Sequence, residues 1–348
     1  MSLSIGFLGA GFISRTHQFF LKRCPVEHQI TAVCDPDRAK ADALAERRGA
    51  AVVDEPTLLD SVDVAFVTAW TSEHERLVRG AAERGVAVFC EKPLAADAAT
   101  AARMSTAVET AGVASQVGLV LRFLPQFRWA RHLLSDERAG RLMTVVFRDD
   151  QFIPTQGYYA SDWRADPARA GRGTLLEHSI HDVDIISYMA GPIGAVHGRV
   201  REFHGLDRID DLAVATMELP NDALASLTSV WHDMTDRPSQ RHIELFAERL
   251  HVRLDGTPEG PVMWRYADGP EESLAGPALL DACLDLDLGR RIDALEFGTG
   301  AMFNPVTEFL EAVRDGHRSP LPLSAAVPAH EVVDRIYDDA DRASARSA

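Results

Sequence analysis

Residues 4–35 read SIGFLGAGFISRTHQFFLKRCPVEHQITAVCD, and this stretch decides the fold of the first part of the chain. It holds a short apolar strand, a turn through Gly9 and Gly11, a segment with helical spacing, and a second apolar strand that ends at Asp35. Strand, glycine turn, helix, strand and acid, in this order, form the unit that binds a dinucleotide. Ser14 stands where such a turn usually has its third glycine, and its small side chain can keep the helix close to the strand.

Each residue type in this unit has a physical role toward a dinucleotide. Gly9 permits a tight turn, and Gly11 lets the backbone approach a pyrophosphate at the positive end of the helix. Asp35 can accept hydrogen bonds from ribose hydroxyls and would repel a 2′-phosphate. We therefore expect NAD, with NADP possible because Arg38 could partly offset that repulsion. The residues expected at the cofactor from this unit are Gly9, Gly11, Phe12, Ile13 and Asp35.

Composition narrows the class of protein. The 348 residues allow two domains, and 25% charged with 46% hydrophobic residues is ordinary for a soluble globular protein. A net charge of −16 argues against nucleic acid or an anionic membrane surface as a partner. The four cysteines are scattered, the N-terminus lacks a signal-peptide pattern, and no apolar run is long enough to span a membrane. We expect a cytoplasmic protein.

The first third of the chain alternates strands and helices. Five strands with this rhythm predict an α/β Rossmann domain, a doubly wound parallel sheet with its ligand at the carboxyl ends of the strands. After the opening unit, the predicted strands are 62–69, 86–90 and 115–121, and the predicted helices are 37–48, 72–83 and 97–110.

Beyond residue 122 strands follow strands, which predicts an α+β domain with a large, mostly antiparallel open sheet. We expect domains at 1–122 and 123–348. A second subunit could cover the exposed face of the sheet, which predicts a homodimer or homotetramer. Pro220-Asn221-Asp222 is a hairpin turn signal. The predicted strands are 143–152, 196–203, 212–219, 223–231, 242–246, 250–254 and 262–266, and the predicted helices are 175–189, 279–295, 306–314 and 330–341.

The strand VAVFC ends in Glu91-Lys92-Pro93. A lysine at the carboxyl end of a strand in such a sheet lies where ligands bind, and the following proline, which can adopt a cis bond, fixes the local backbone. Lys92 could act as a general acid/base or hold a substrate hydroxyl. The alternative is an ordinary solvated lysine at a strand end.

The segment GRGTLLEHSIHDVD begins at Gly171 and carries the second cluster of titratable residues. On a continuous helix Glu177, His181 and Asp184 would form a stripe beside a buried apolar stripe, which favours acid/base chemistry over a plain polar helix face. His178 and His181 could also be considered as zinc ligands, but Glu177 and His178 project about 100° apart and converge poorly. We expect no metal.

A third group of residues could line a ligand pocket. Trp70 lies between a predicted strand and helix, at the ligand edge of the sheet, where it could contact nicotinamide or adenine or simply fill the core. Aromatic and polar residues in the second domain could bind a hydroxylated ligand. They are Tyr158, Tyr159, Trp163, Arg164, Trp231 and His232.

These features together resemble the glucose–fructose oxidoreductase / inositol dehydrogenase (Gfo/Idh/MocA) family over nearly the whole chain. The matching segments are GFLGAGFIS, CDPD, TSEH, FCEKPLA, VGLVLRFLP, GRGTLLEHSIHDVD and DDLAVATMELPNDALASLTSVWH. The resemblance implies that Lys92 matches the lysine of the family's EKP motif and that His181 matches its catalytic histidine, with Glu177 where many members have aspartate. Ser14, Trp70 and Arg172 also depart from the family pattern.

The resemblance implies an NAD(P)-dependent dehydrogenase that moves a hydride between a secondary alcohol of a sugar or cyclitol and the cofactor. Two alternatives stay open, an NAD-dependent glycosidase of the same fold and a nucleotide- or sugar-sensing regulator without turnover. The expected catalytic residues are Lys92, His181 and Glu177. Further cofactor contacts are expected at Trp70, His74, Glu91 and Lys92, and substrate contacts at Arg122, Tyr158, Trp163, Arg164, His178 and His181.

Overall fold

A computed structural model describes residues 2–157, 160–256, 260–297 and 300–347, and the chain divides into two compact units. The first unit comprises Met1–Leu119, Ala168–Gly171 and Asn304–Pro328. The second comprises Val120–Pro167, Arg172–Phe303 and Ala329–Ala348.

The first unit is built around a parallel sheet. Its strands are β1 (Leu3–Leu8), β2 (His28–Cys34), β3 (Ala51–Val52), β4 (Val64–Val67), β5 (Ala87–Cys90) and β6 (Ser115–Val117). Its helices are α1 (Phe12–Lys22), α2 (Arg38–Glu46), α3 (Glu55–Leu59), α4 (His74–Glu83), α5 (Ala98–Ala111), most of the short α7 (Pro167–Ala170), and α10 (Thr307–Asp315).

The strand order β3-β2-β1-β4-β5-β6 is that of a Rossmann fold, and every neighbouring pair is parallel. The central strands are buried on both faces, as a sheet covered by helices requires. Phe7, Phe66 and Phe89 stack across β1, β4 and β5 with ring centroids 5.2 and 5.0 Å apart. The two-residue edge strand β3 has no sequence pattern of its own, so five strands are predicted and six are observed.

The second unit contains the remaining strands and helices. Its strands are β7 (Leu142–Phe152), β8 (Val196–Arg201), β9 (Leu212–Glu218), β10 (Leu224–His232), β11 (Gln240–Ala247), β12 (Leu250–Asp255), β13 (Val262–Tyr266), β14 (Glu271–Leu274), β15 (Ala294–Phe297) and β16 (Gly300–Phe303). Its helices are α6 (Pro125–Ser135), α8 (Ile180–Ala190), α9 (Gly276–Asp285) and most of α11 (Val327–Ser347).

Eight of these strands form one sheet in the order β14-β13-β12-β11-β7-β10-β9-β8, which is antiparallel except where β7 meets β10. Along β9 and β10 buried and exposed residues alternate, which is typical of a sheet with one covered face. Helices α6 and α8 contact strands of this sheet. The predicted fold class, a Rossmann domain and an α+β domain with an open sheet, is confirmed. The predicted hairpin turn is also observed, with Asn221 in the left-handed region at φ 60°. No helix in the described part of the chain is both long and apolar enough to cross a membrane.

Candidate active site

The glycine turn after β1 fits the backbone of a dinucleotide-binding unit. Gly9 has φ +108°, and a Cβ at that position would lie 2.6 Å from the carbonyl carbon and oxygen of Thr68, so only glycine fits there. Gly11 precedes α1 without a side-chain hydrogen bond to the first N–H groups of the helix. A Cβ on Gly11 would meet nothing within 4 Å, which leaves open space at the helix N-terminus.

Ser14 has a definite structural place. Its side chain is fully buried, and its hydroxyl donates a hydrogen bond to the Gly11 carbonyl oxygen at 2.6 Å. Ser14, which replaces a third glycine, therefore stabilises the turn through this hydrogen bond. In the same first turn of α1, Phe12 is 51% exposed and Ile13 is half-buried, so both lie at the surface where a ligand would approach.

The Asp35 carboxylate is fixed beside this turn. Its Oδ2 accepts from the Ala10 N–H at 2.6 Å, and its Oδ1 accepts from the Asp37 N–H at 2.7 Å. Each carboxylate oxygen can accept a further bond, so ribose hydroxyls could still bind here. Arg38 lies three residues after Asp35, but its guanidinium pairs with Asp42 at 2.8 Å on the exposed surface of α2.

Trp70 and His74 follow β4 and play different structural parts. Trp70 is half-buried, and the Arg169 guanidinium lies 4.4 Å from the centroid of its ring. His74 is 1% exposed, with Nδ1 3.0 Å from the Pro93 carbonyl oxygen and Nε2 3.2 Å from the Ala69 carbonyl oxygen. Burial lowers the pKa of His74. Its ring therefore ties the loop after β4 to the loop after β5 from inside the unit.

Lys92 and Glu91 lie at the carboxyl end of β5, on the same sheet edge as the glycine turn. The Lys92–Pro93 peptide is cis, and Lys92 is half-buried. Glu91 is 7% exposed, its Oε1 lies 2.6 Å from His17 Nε2, and its Oε2 accepts from the Lys92 N–H at 3.1 Å. Although burial opposes ionisation, the hydrogen bond and charge of His17 keep the pKa of Glu91 below its usual range.

These residues fit a nicotinamide dinucleotide. The uncapped N–H groups at the start of α1 and the open space at Gly11 suit a pyrophosphate, while Asp35 suits a ribose. Trp70 and Lys92 follow the neighbouring strands β4 and β5, at the sheet edge that also bears the glycine turn. When bound, the cofactor supplies a hydride acceptor at its nicotinamide ring.

In the second unit, Glu177 lies in a single π-helical turn, Thr174–His178, and α8 begins only at Ile180. A continuous helix over 175–189 is predicted, but the i→i+5 bond from the Ser179 N–H to the Thr174 carbonyl changes the register. The apolar stripe of Leu176, Ile180 and Val183 is fully buried, as predicted. Glu177 is 4% exposed and His181 8% exposed, in two different helical geometries.

Asp210 holds the start of this π turn. Its carboxylate accepts from the N–H groups of Gly173 at 2.9 Å and Leu175 at 3.0 Å, and from the Tyr337 hydroxyl at 2.8 Å. A Cβ on Gly173 would lie 1.9 Å from the Asp210 carbonyl oxygen, so this position requires glycine. The guanidinium of Arg172, which departs from the family's glycine pattern, lies over the Tyr337 ring, 4.3 Å from the centroid. We call the three hydrogen bonds to the Asp210 carboxylate the Asp210 latch.

Glu177 forms an ion pair with Arg164, at 3.2 Å between Oε1 and Nε. The Arg164 guanidinium also lies over the Trp163 ring, 4.4 Å from its centroid, and donates to the Ser161 hydroxyl at 2.8 Å. Three predicted site residues therefore lie together in this unit. Tyr158 and Tyr159, also predicted to line the pocket, lie outside the described residues.

His178 belongs to a buried network of charges. Its Nε2 lies 2.7 Å from Asp149 Oδ2, and Arg241 pairs with both Asp149 at 2.7 Å and Asp182 at 2.9 Å. Burial, with the nearby charge of Asp149, raises the pKa of Asp182 to about 6. The described residues contain no group of three or more His, Cys, Asp and Glu side chains placed to hold a metal.

Arg122, expected to contact substrate, is held by a buried carboxylate. Its Nε and Nη2 donate to the two oxygens of Asp184 at 2.9 and 2.5 Å, and Asp184 is 2% exposed. Burial raises the pKa of Asp184 despite this pair. Asp184 thus has its own partner and does not join Glu177 and His181 as the helical stripe predicts.

Sequence reasoning missed the residues that hold the predicted ones in place. In the sequence, His17 is only one more position on the apolar face of α1. Asp210 and Asp149 lie far in sequence from the segments they bind. The pair of acids before β9, Asp210-Asp211, is the one available signal, since a buried strand rarely starts with two carboxylates unless they have partners.

Two family models match this chain. "Oxidoreductase family, NAD-binding Rossmann fold" matches residues 3–119, and "GFO/IDH/MocA C-terminal domain" matches residues 127–253. Among curated relatives, D-xylose 1-dehydrogenase (NADP(+)) 2 of Haloferax volcanii is 26% identical, with 92% of each chain covered. Inositol 2-dehydrogenase of Rhizobium meliloti is 28% identical over 55% of this chain and 56% of that enzyme.

The structure of a levoglucosan dehydrogenase in complex with NADH and levoglucosan has a TM-score of 0.84 at 19% identity, covering 98% of both chains. At this identity the likeness establishes the fold. The two family models define the class: the chain is an oxidoreductase with an NAD-binding Rossmann fold. It belongs to the Gfo/Idh/MocA family, and the predicted NAD(P)-dependent enzyme class is thereby confirmed.

Proposed function

We propose that this protein is a dehydrogenase that oxidises a secondary alcohol of a sugar or cyclitol with NAD. The observation that carries the proposal is the position of Lys92. It follows β5 at the sheet edge that also bears the glycine turn and Asp35, and its loop is fixed from within by Glu91 and His74. The curated relatives act on xylose and inositol by name, which supports the substrate class.

The reaction breaks a C–H and an O–H bond and forms a C=O bond. The hydride goes to the cofactor, and the hydroxyl proton must go to a base. We propose that His181 is this base. Lys92 would bind the hydroxyl or relay its proton. We assign to Glu177, which pairs with Arg164, the role of tuning His181.

The preference for NAD rests on Asp35. Its carboxylate is fixed by two backbone N–H groups, so it cannot easily turn away from a 2′-phosphate, and the nearby Arg38 is engaged by Asp42. Changing Asp35 to Ser is expected to lower KM for NADP relative to KM for NAD. An unchanged ratio of the two KM values would contradict this assignment.

The central experiment is a screen of inositols, aldoses and sugar acids with NAD and NADP, followed through NADH or NADPH absorbance. On the best substrate, Lys92→Ala and His181→Ala should each lower kcat/KM by about 10²- to 10⁴-fold, the usual range for lost acid/base groups. Full turnover by either variant would refute its assigned role. Release of nitrophenol from nitrophenyl glycosides without net NADH would select the glycosidase alternative.

The sequence offers matched controls for these variants. It has three lysines, Lys22, Lys40 and Lys92, and Lys22 is exposed in the last turn of α1. Lys22→Ala and the exposed His197→Ala should retain the wild-type kcat/KM. A loss in either control would show that removing any lysine or histidine disturbs the fold.

We propose that a second copy of the chain covers the open sheet. Side chains that face outward from four neighbouring strands are apolar and exposed, with exposed fractions of 36–54%. They are Val146, Val214, Leu224 and Phe246. Light scattering should give the mass of a dimer or tetramer, and Val146→Glu should reduce it; a wild-type monomer would refute the proposal.

We place the protein in the cytoplasm because its four cysteines, Cys24, Cys34, Cys90 and Cys283, form no disulfide. Cell fractionation tests this. We also keep residue 122 as the boundary between domains 1–122 and 123–348, which limited proteolysis can test.

A further inference from the structure

His17 lies in α1, the helix whose N-terminus follows the glycine turn, and its ring is buried in the core. It is 1% exposed and packs against Phe66 and Phe89, with ring centroids 5.4 and 4.7 Å away. A histidine among phenylalanines is costly unless its polar atoms are used. Its Nε2 lies 2.6 Å from Glu91 Oε1, which makes this hydrogen bond the reason for a polar ring at this position.

Glu91 in turn reaches the lysine loop. Its second oxygen accepts from the Lys92 N–H at 3.1 Å. The carboxyl group is also confined on its other side, because a Cβ on Gly118 would lie 3.0 Å from its carbon and both oxygens. The carboxylate therefore has one place to sit, between α1 and the backbone of Lys92.

We propose that the His17–Glu91 pair is a positioning device for Lys92 that links the dinucleotide-binding helix to the loop carrying the proposed hydroxyl-binding lysine. This inference rests on the proposed function for the role of Lys92. His17 and Glu91 are then positioning residues, which act through the Lys92 backbone and through the carboxylate charge beside it. Glu91 would have this role instead of a direct contact with the cofactor.

The charge state of the pair follows from its surroundings. The titratable groups facing the Glu91 carboxylate are His17 from α1, His74 from α4, and Cys90 and Lys92 from its own strand and loop. Burial raises the pKa of Cys90 and lowers that of His74, so both stay neutral. His17 thus provides the main hydrogen bond that keeps Glu91 ionised.

The test compares His17→Phe, which keeps an aromatic ring but has no N–H, with His17→Gln, which retains a donor near the position of Nε2. Without a donor, burial raises the pKa of Glu91, so its carboxyl takes up a proton as pH falls. We expect kcat of His17→Phe to fall about tenfold and to decline on the acid side at higher pH than wild type, with KM for NAD within about twofold. His17→Gln should recover most of kcat.

Glu91→Gln provides the second arm. It has no carboxyl to protonate, so its loss of kcat should be similar at every pH. The double variant His17→Phe/Glu91→Gln should be no worse than Glu91→Gln, because the two residues act as one unit. Additive losses, or a fall in NAD affinity as large as the fall in kcat, would overturn the proposal.

A readout without turnover separates this inference from the proposed function. Trinitrobenzenesulfonate labels amines, and peptide mass spectrometry can follow each of the three lysines separately. His17→Phe should change the labelling rate of Lys92 at least threefold relative to Lys22 and Lys40, both exposed, whereas His17→Gln should not. An unchanged Lys92 rate in a folded His17→Phe protein refutes the inference even if no substrate is turned over.

Discussion

Replacing Asp210 with asparagine should loosen the segment that carries Glu177. The carboxylate is 3% exposed and accepts three hydrogen bonds, from the N–H groups of Gly173 and Leu175 and from the Tyr337 hydroxyl. An asparagine amide has one acceptor oxygen, so at least one backbone N–H loses its partner whichever way the amide turns. A buried donor left without an acceptor costs about 1–3 kcal/mol.

We take about 2 kcal/mol for Asp210→Asn. Since 1.4 kcal/mol is a factor of ten, the population in which this segment is open should rise about 30-fold. Hydrogen exchange measured by mass spectrometry on peptides covering 173–179 reports that population directly. Exchange in β1 and β4, in the other unit, should be unchanged.

Tyr337→Phe is the matched control, because it removes one donor to the same carboxylate and leaves both backbone bonds in place. Its exchange over 173–179 should rise much less than in Asp210→Asn. If the two variants exchange equally fast, or if Asp210→Asn exchanges like wild type, the Asp210 latch does not hold the π turn.

Three further predictions follow from other contacts. Gly9→Ala should lower the melting temperature by several degrees because its Cβ has no room, whereas Gly11→Ala should melt like wild type but bind NADH more weakly in a fluorescence titration. Burial raises the pKa of Asp182 to about 6, so its protonated carboxyl favours the folded protein at low pH. This contribution is lost as pH rises through about 6. The stability advantage of wild type over Asp182→Asn in urea unfolding should therefore shrink by about 3 kcal/mol between about pH 4 and pH 7. Arg122→Gln should cost about 3–5 kcal/mol of unfolding free energy, because it leaves Asp184 buried and unpaired. The double variant with Asp184→Asn should regain most of that free energy. A changed KM with an unchanged melting temperature would make Arg122 a substrate contact instead.

The sequence predicts the first unit well because its signals are local. Apolar strands, the glycine turn and Asp35 all lie within 32 residues, and backbone geometry leaves few other ways to arrange them. The alternation of buried and exposed residues likewise predicts most strands of the open sheet. Short elements such as β3 and β14 escape prediction, because two to four residues do not establish a period.

The candidate site is harder to predict because its geometry depends on distant partners. Spacing places Glu177, His181 and Asp184 on one helical face, yet the π turn ends just before α8 and Asp184 turns to Arg122. The π turn has no sequence signature of its own. It forms where Asp210, some 35 residues away, accepts the backbone N–H groups that an ordinary helix start would leave to solvent.

Lys92 and Glu177, two residues proposed for chemistry, lie in segments whose backbone is bound by another, buried carboxylate. Lys92 is half-buried, whereas its backbone N–H is bound by Glu91; the π turn with Glu177 is held through backbone N–H groups by Asp210. In both units a buried carboxylate, rather than the side chain that would meet a ligand, fixes the backbone. Burying a carboxylate is costly unless hydrogen-bond donors surround it. The carboxylates of Glu91 and Asp210 therefore favour one loop geometry before any ligand binds. Variants of Glu91 and Asp210 should therefore lower kcat more than they weaken cofactor binding.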